Sequence, residues 1–124
     1  MAARPDDQAM RFLYGVMLSE SRREADAISV FERMLQDFPE LPEPYNNLAV
    51  LRAGQGQLDR SRELLEAALR SDPTYRIAHQ NLGDVFARLA LRAYEAAGQG
   101  NRADEPLLRR LRMTRELIAA GAKP

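Results

Sequence analysis

The sequence predicts an all-α fold built from stacked antiparallel helix pairs, about six helices in all. Three observations carry this. Apolar residues recur at helical spacing through most of the chain. Pro39 and Pro73 each follow such a stretch, and they lie 34 residues apart. Shifting the chain by that 34-residue interval sets large side chains on large ones and small on small. Tyr14, Leu48 and Leu82 coincide, as do Gly15, Ala49 and Gly83. Ala27 falls on Ser61, Phe31 on Leu65, Met34 on Ala68, Leu35 on Leu69 and Asn47 on Asn81.

The elements follow in order. Phe12, Leu13, Val16 and Met17 predict the first helix, and Ala27, Ile28, Phe31, Met34 and Leu35 the second. Ser21-Arg22-Arg23 stands between them without a glycine, which predicts a less sharp turn. Leu41-Pro42-Glu43-Pro44 opens a third helix carrying Tyr45, Leu48, Ala49 and Leu51. Gly54-Gln55-Gly56 ends it, and Leu58, Leu64, Leu65, Ala68 and Leu69 mark a fourth. Asp72-Pro73-Thr74 is again helix-start chemistry. No breaker then appears until Gly98, so residues 75–97 read as one long fifth helix. A sixth runs from about Glu105 to Ala120, with Pro106 near its start and Gly121 past its end. The small residues Gly15, Ala49 and Gly83 are expected at helix crossings, facing Ala27 and Ser61.

Composition narrows the function. With 124 residues the chain is long enough for one domain with a modest core. Eighteen Lys and Arg balance 18 Asp and Glu, so no global field favours nucleic acid or an anionic membrane. The absence of cysteine removes disulfides and thiolate metal sites. The start, Met1-Ala2-Ala3-Arg4-Pro5-Asp6-Asp7, lacks the apolar stretch of a signal peptide, and the apolar runs are too short to span a bilayer. No nucleophile elbow, phosphate loop or zinc-hydrolase spacing occurs, so no catalytic residue, metal ligand or cofactor is nominated. His79, the one histidine, reads as a packed side chain.

The pattern resembles the tetratricopeptide repeat. Tyr45, Leu48, Ala49, Ser61, Leu65, Ala68 and Pro73 match its slots in the second unit. Tyr14, Gly15, Ala27, Phe31 and Pro39 match in the first, and His79, Leu82, Gly83 and Phe86 in the third. The resemblance covers roughly residues 8–97. It implies a right-handed superhelix and one domain over 1–124: repeat one 8–41, repeat two 42–75, a variant third repeat with its long helix at 76–97, and a C-terminal capping helix at 102–120. It further implies a non-enzymatic scaffold or adaptor that takes a peptide or protein segment in a concave groove lined by the first helix of each pair. By register that lining is Phe12, Val16 and Ser19, then Glu43, Asn46, Asn47 and Val50, then Ile77, Gln80, Asn81, Asp84 and Arg88. An amide both donates and accepts, so Asn47 and Asn81 suit a peptide backbone; the same residues equally suit bonding between neighbouring helices. One subclass clamps a C-terminal carboxylate with lysine, asparagine and arginine. Its slots fall here on Phe12, Val16, Asn47, Ile77 and Asn81, and only Asn47 is kept, which argues against that ligand.

Two further readings stay open. The long fifth helix and the apolar last helix suit self-association into a homo-oligomer. Residues 102–123 hold six cations, Arg102, Arg109, Arg110, Arg112, Arg115 and Lys123, against Asp104, Glu105 and Glu116. Such a face suits RNA or anionic lipid, but no aromatic residue interleaves to stack bases, and a solvated face is the commoner meaning. The sequences it resembles are bacterial and some are exported, so cytoplasm and periplasm both remain.

Overall fold

The computed structural model describes residues 5–100 and 103–122. Residues 1–4, on which the signal-peptide expectation rests, and Arg102 and Lys123 of the basic segment fall outside them. Among the described residues there are six helices and no strand: α1 Pro5–Glu20, α2 Glu24–Asp37, α3 Pro42–Gly54, α4 Leu58–Ser71, α5 Arg76–Ala97 and α6 Glu105–Ala122. The long fifth helix is where the sequence puts it, and the C-terminal helix begins at Glu105 as expected but runs on through Gly121 to Ala122 instead of ending before that glycine. None of the described helices is long and apolar enough to cross a membrane. The chain packs as two compact units, Met1–Asn81 and Leu82–Pro124.

In the first unit, α1 and α2 form one pair and α3 and α4 a second, with α3 laid against the first pair. Much of the set the 34-residue shift brings together is core: Ala27, Phe31, Met34, Leu48, Ala49, Leu65 and Ala68 are all essentially inaccessible, whereas Tyr14, in the slot of Leu48, is exposed, and Leu35 and Leu69 are half-buried. Gly15 is where close approach is needed. A Cβ there would meet Cε1 of Phe31 at 2.6 Å and Cζ at 2.7 Å. Phe31 therefore lies across the backbone of α1, with the Phe12 ring tilted against it at 5.8 Å. In the second pair the close contact is polar. The Ser61 hydroxyl, buried, donates to the Ala49 carbonyl oxygen at 2.7 Å.

Backbone hydrogen bonds repeat with the same interval as the side chains. The Arg23 amide donates to the Leu18 carbonyl (2.9 Å) and Arg22 to Ser19 (3.2 Å); one repeat later Gln57 donates to Arg52 (2.9 Å) and Gly56 to Ala53 (2.9 Å). These bonds close both helix ends with a left-handed residue, at φ +61° for Arg22 and +79° for Gly56. The first turn is thus as sharp as the second, although arginine stands where glycine is preferred. The junctions repeat as well. Phe38 donates to Met34 (2.7 Å) and Leu41 to Phe38 (3.1 Å), matched by Asp72 to Ala68 (2.9 Å) and Tyr75 to Asp72 (3.2 Å). Pro42 takes the first helical position of α3, where its missing N–H costs nothing. Asp72, by contrast, is spent on a turn. Its carboxylate accepts from the Thr74 amide (3.0 Å) and hydroxyl (2.7 Å), and α5 begins only at Arg76.

Besides the sharp first turn and the later start of α5, two further expectations are corrected. His79 is exposed rather than packed, and its Nε2 lies 2.8 Å from the Pro73 carbonyl oxygen. One repeat earlier the Tyr45 hydroxyl donates to the Pro39 carbonyl at 2.9 Å, so this slot ties each helix to the proline before it. Gly83 is not at a crossing: it is exposed, and a Cβ there would meet nothing within 4 Å. The register copied the glycine, but no side chain equivalent to Phe31 comes against it.

In the second unit, residues 82–97 of α5 run antiparallel to α6. Contacts pair Gly98 with Leu107, Glu95 with Arg115 and Gly121 with Asp84. Asp104 caps α6, its carboxylate accepting from the Leu107 amide at 2.9 Å. Val85, Leu107 and Leu111 are the buried apolar side chains among the described residues of this unit.

Candidate functional site

A groove of about 460 Å³ lies along the first unit. It is lined by Phe12 and Ser19 of α1, by Glu43, Asn46, Asn47, Val50 and Leu51 of α3, and by Tyr75, Ile77 and Asn81 at the start of α5. Each of these elements opens a repeat. Their side chains converge because successive repeat-opening helices lie side by side, so residues one interval apart come to the same wall.

The centre of the groove is an amide ladder. Asn81 Nδ2 donates to Asn46 Oδ1 at 3.0 Å, and Asn46 Nδ2 donates to Asn47 Oδ1 at 3.3 Å. Asn46 is only 4% exposed, and the ladder engages both ends of its amide. That leaves the Asn47 amide nitrogen and the Asn81 amide oxygen outside the ladder, one donor and one acceptor. Asparagine here joins neighbouring helices and also lines the groove, so the two roles weighed from sequence coexist.

Apolar side chains flank the amides. Val50 and Ile77 are about half exposed, at 50% and 53%. Phe12 is held by its ring contact with Phe31. Glu43 is the one carboxylate among the lining residues, and no lysine or arginine joins it. The Tyr75 hydroxyl sits near it. Burial, then the negative charges of Glu43 and Asp72, push its pKa above the ordinary tyrosine value.

Of the residues expected from sequence, Phe12, Asn46, Asn47, Val50 and Asn81 line this groove, with Ser19, Glu43 and Ile77. Val16 is half-buried and Gln80 exposed, and neither contributes to the lining. Asp84 and Arg88 belong to the second unit, where they line a separate cleft. Leu51 and Tyr75 were missed. Leu51 falls in the apolar stripe and reads as core, while Tyr75 precedes the helix and lies outside its periodicity. Among the described residues no cluster of His, Cys, Asp and Glu is arranged to hold a metal ion.

The comparisons agree with this architecture. The family model described as tetratricopeptide repeat matches residues 18–83, more than half of the chain. Among solved structures, the chain is similar to the Sgt2 TPR domain from Aspergillus fumigatus. The two are 26% identical, with a TM-score of 0.64, over 99% of this chain and 87% of that one. With its repeats in register in both sequence and backbone, the chain belongs to the tetratricopeptide repeat family.

Proposed function

We propose that this protein is a non-enzymatic adaptor that holds a segment of a partner protein in the groove of its first unit. Tetratricopeptide repeats are generally protein–protein interaction modules, and the groove supports that use here. The observation that carries the reading is the amide ladder set between exposed apolar side chains. Asn47 and Asn81 offer a donor and an acceptor to a backbone, while Phe12, Val50 and Ile77 offer contact to apolar side chains. With Glu43 as the only ionised lining group, a strongly acidic segment is disfavoured and a carboxylate clamp has no cations to work with.

The test is selection of peptides from a display library on the folded protein, followed by binding to the Val50→Glu, Ile77→Glu double variant. Both positions are half exposed, so the variant is expected to fold. Selected peptides should be apolar and poor in acidic residues, and should lose about tenfold or more in affinity. Peptides that bind the double variant equally well would place the binding surface elsewhere.

A further inference from the structure

One end of the groove differs from the rest in charge. Glu43, in the first turn of α3, is half-buried and lines the groove with Phe12 of α1 and with Tyr75 and Ile77 at the start of α5. Elsewhere in the first unit, half-exposed carboxylates hold cations: Asp37 pairs with Arg11 at 2.8 Å and Glu66 with Arg62 at 2.9 Å. Among the described residues Glu43 takes part in no ion pair. Arg76, beside Tyr75 in sequence, is exposed and does not line the groove. A carboxylate drawn part-way out of water without a partner is unfavourable, so this position gains when a cation arrives.

The surrounding groups set the sign of the field. The starts of α3 and α5 both lie here, and each carries about half a positive charge from its helix dipole. Glu43 and Asp72 each bring a full negative charge, so the carboxylates outweigh the two helix starts by about one charge. The Tyr75 hydroxyl registers that field: burial first, then Glu43 and Asp72, keep its proton on. Phe12 and Tyr75 add aromatic rings to the same lining, and ring faces attract cations. The Tyr75 hydroxyl oxygen can also accept from an ammonium or a guanidinium.

We propose that the Glu43 end of the groove receives a lysine or arginine side chain of the bound segment, so that the partner is a basic and apolar stretch of protein chain. The inference rests on the groove reading and names the charged residue that such a segment carries. Asn47 lies one turn beyond Glu43, about 6 Å along α3. A segment whose backbone meets the amides, and whose apolar side chains meet Val50 and Ile77, therefore reaches Glu43 with a long and flexible basic side chain. There the Glu43 carboxylate accepts charge-assisted hydrogen bonds.

Competition between peptide libraries for the immobilised full chain tests it. The libraries are N-acetylated and C-amidated, built from Ala, Leu, Ile, Val, Phe and Asn, and alike except for one fixed central residue: lysine, glutamine or glutamate. Acetylation removes the α-amino group as a source of the cation. The lysine library should be retained about fivefold over the glutamine library, an advantage that shrinks in high salt. Glu43→Gln, which keeps the size of the side chain, should bring the two libraries level, and Glu43→Lys should turn the preference toward glutamate. Equal retention of the lysine and glutamine libraries by wild type would overturn the cation site, as would a lysine preference that survives Glu43→Gln in a chain of unchanged circular dichroism. In either case, binding still lost in the Val50→Glu, Ile77→Glu double variant would leave the groove reading standing. Retention untouched by that double variant would overturn the groove reading and the cation site together.

Discussion

At the scale of the residue, Gly15 and Gly83 occupy the same slot of the repeat yet answer to different physics. The ring of Phe31 occupies the space of a side chain at Gly15, and Phe31 is fully buried with nowhere to swing. Gly15→Ala should therefore cost about 1–3 kcal/mol in urea unfolding, despite its better helix propensity. Gly83→Ala meets open space inside a helix and should stabilise by about 0.5–1 kcal/mol. Equal effects at the two sites would contradict the packing described. Sequence shows the residue type at each slot but not which neighbour arrives there. His79 illustrates the same limit: its slot was legible, its bond to the Pro73 carbonyl was not. Tyr75 supplies a pH signature. Its hydroxyl keeps its proton in the folded chain, through burial and then Glu43 and Asp72, at pH values where the unfolded chain, ionising near about 10, has lost it. The resulting stability is present below about pH 10 and lost as pH rises through the raised value. Alkaline unfolding of Tyr75→Phe should accordingly show a shallower decline than wild type.

At the scale of the element, the turns and the helix pairs can be separated experimentally. Arg22 and Gly56 hold the same left-handed position and the same hydrogen bonds, so the side chain is the variable. Arg22→Gly relieves a conformation that costs an L-residue about 1–2 kcal/mol, less the extra freedom glycine has when unfolded. A net gain of about 0.5–1 kcal/mol is expected, and Gly56→Ala should lose about 1 kcal/mol. Unfolding midpoints that move in the same direction would refute this. The Ser61 hydroxyl joins α4 to α3 through the Ala49 carbonyl in a site closed to water. Ser61→Ala should cost about 1 kcal/mol, although alanine is what the first repeat carries at Ala27. The helices themselves were readable because their apolar period is a packing requirement. The turn at Arg22 was not, because arginine carries no local mark of a left-handed backbone.

At the scale of the whole molecule, the buried apolar side chains are distributed unevenly. Most of the core belongs to the first unit, while the described part of the second rests on Val85, Leu107 and Leu111. Native-state hydrogen exchange should show amides of α2, α3 and α4 opening only near the global unfolding free energy, and those of α6 opening well below it. Uniform protection along the chain would argue against that gradient. The groove was legible as a register once the resemblance says which helices line it, since Phe12 and Asn46, Glu43 and Ile77, and Asn47 and Asn81 each lie one 34-residue interval apart. The ladder through Asn46 was not, because its bond to Asn81 joins residues 35 apart, one step off the interval.

The matching hydrogen bonds at the two proline junctions have a consequence for how such a chain can change its length. Phe38 to Met34 and Leu41 to Phe38 present the next helix with the same backbone exit as Asp72 to Ala68 and Tyr75 to Asp72. A duplicated 34-residue cassette spliced between Leu41 and Pro42 would thus enter and leave through connections the protein already makes. Length becomes a parameter that duplication can tune in whole steps, each step adding a wall to the groove while the joints stay the same.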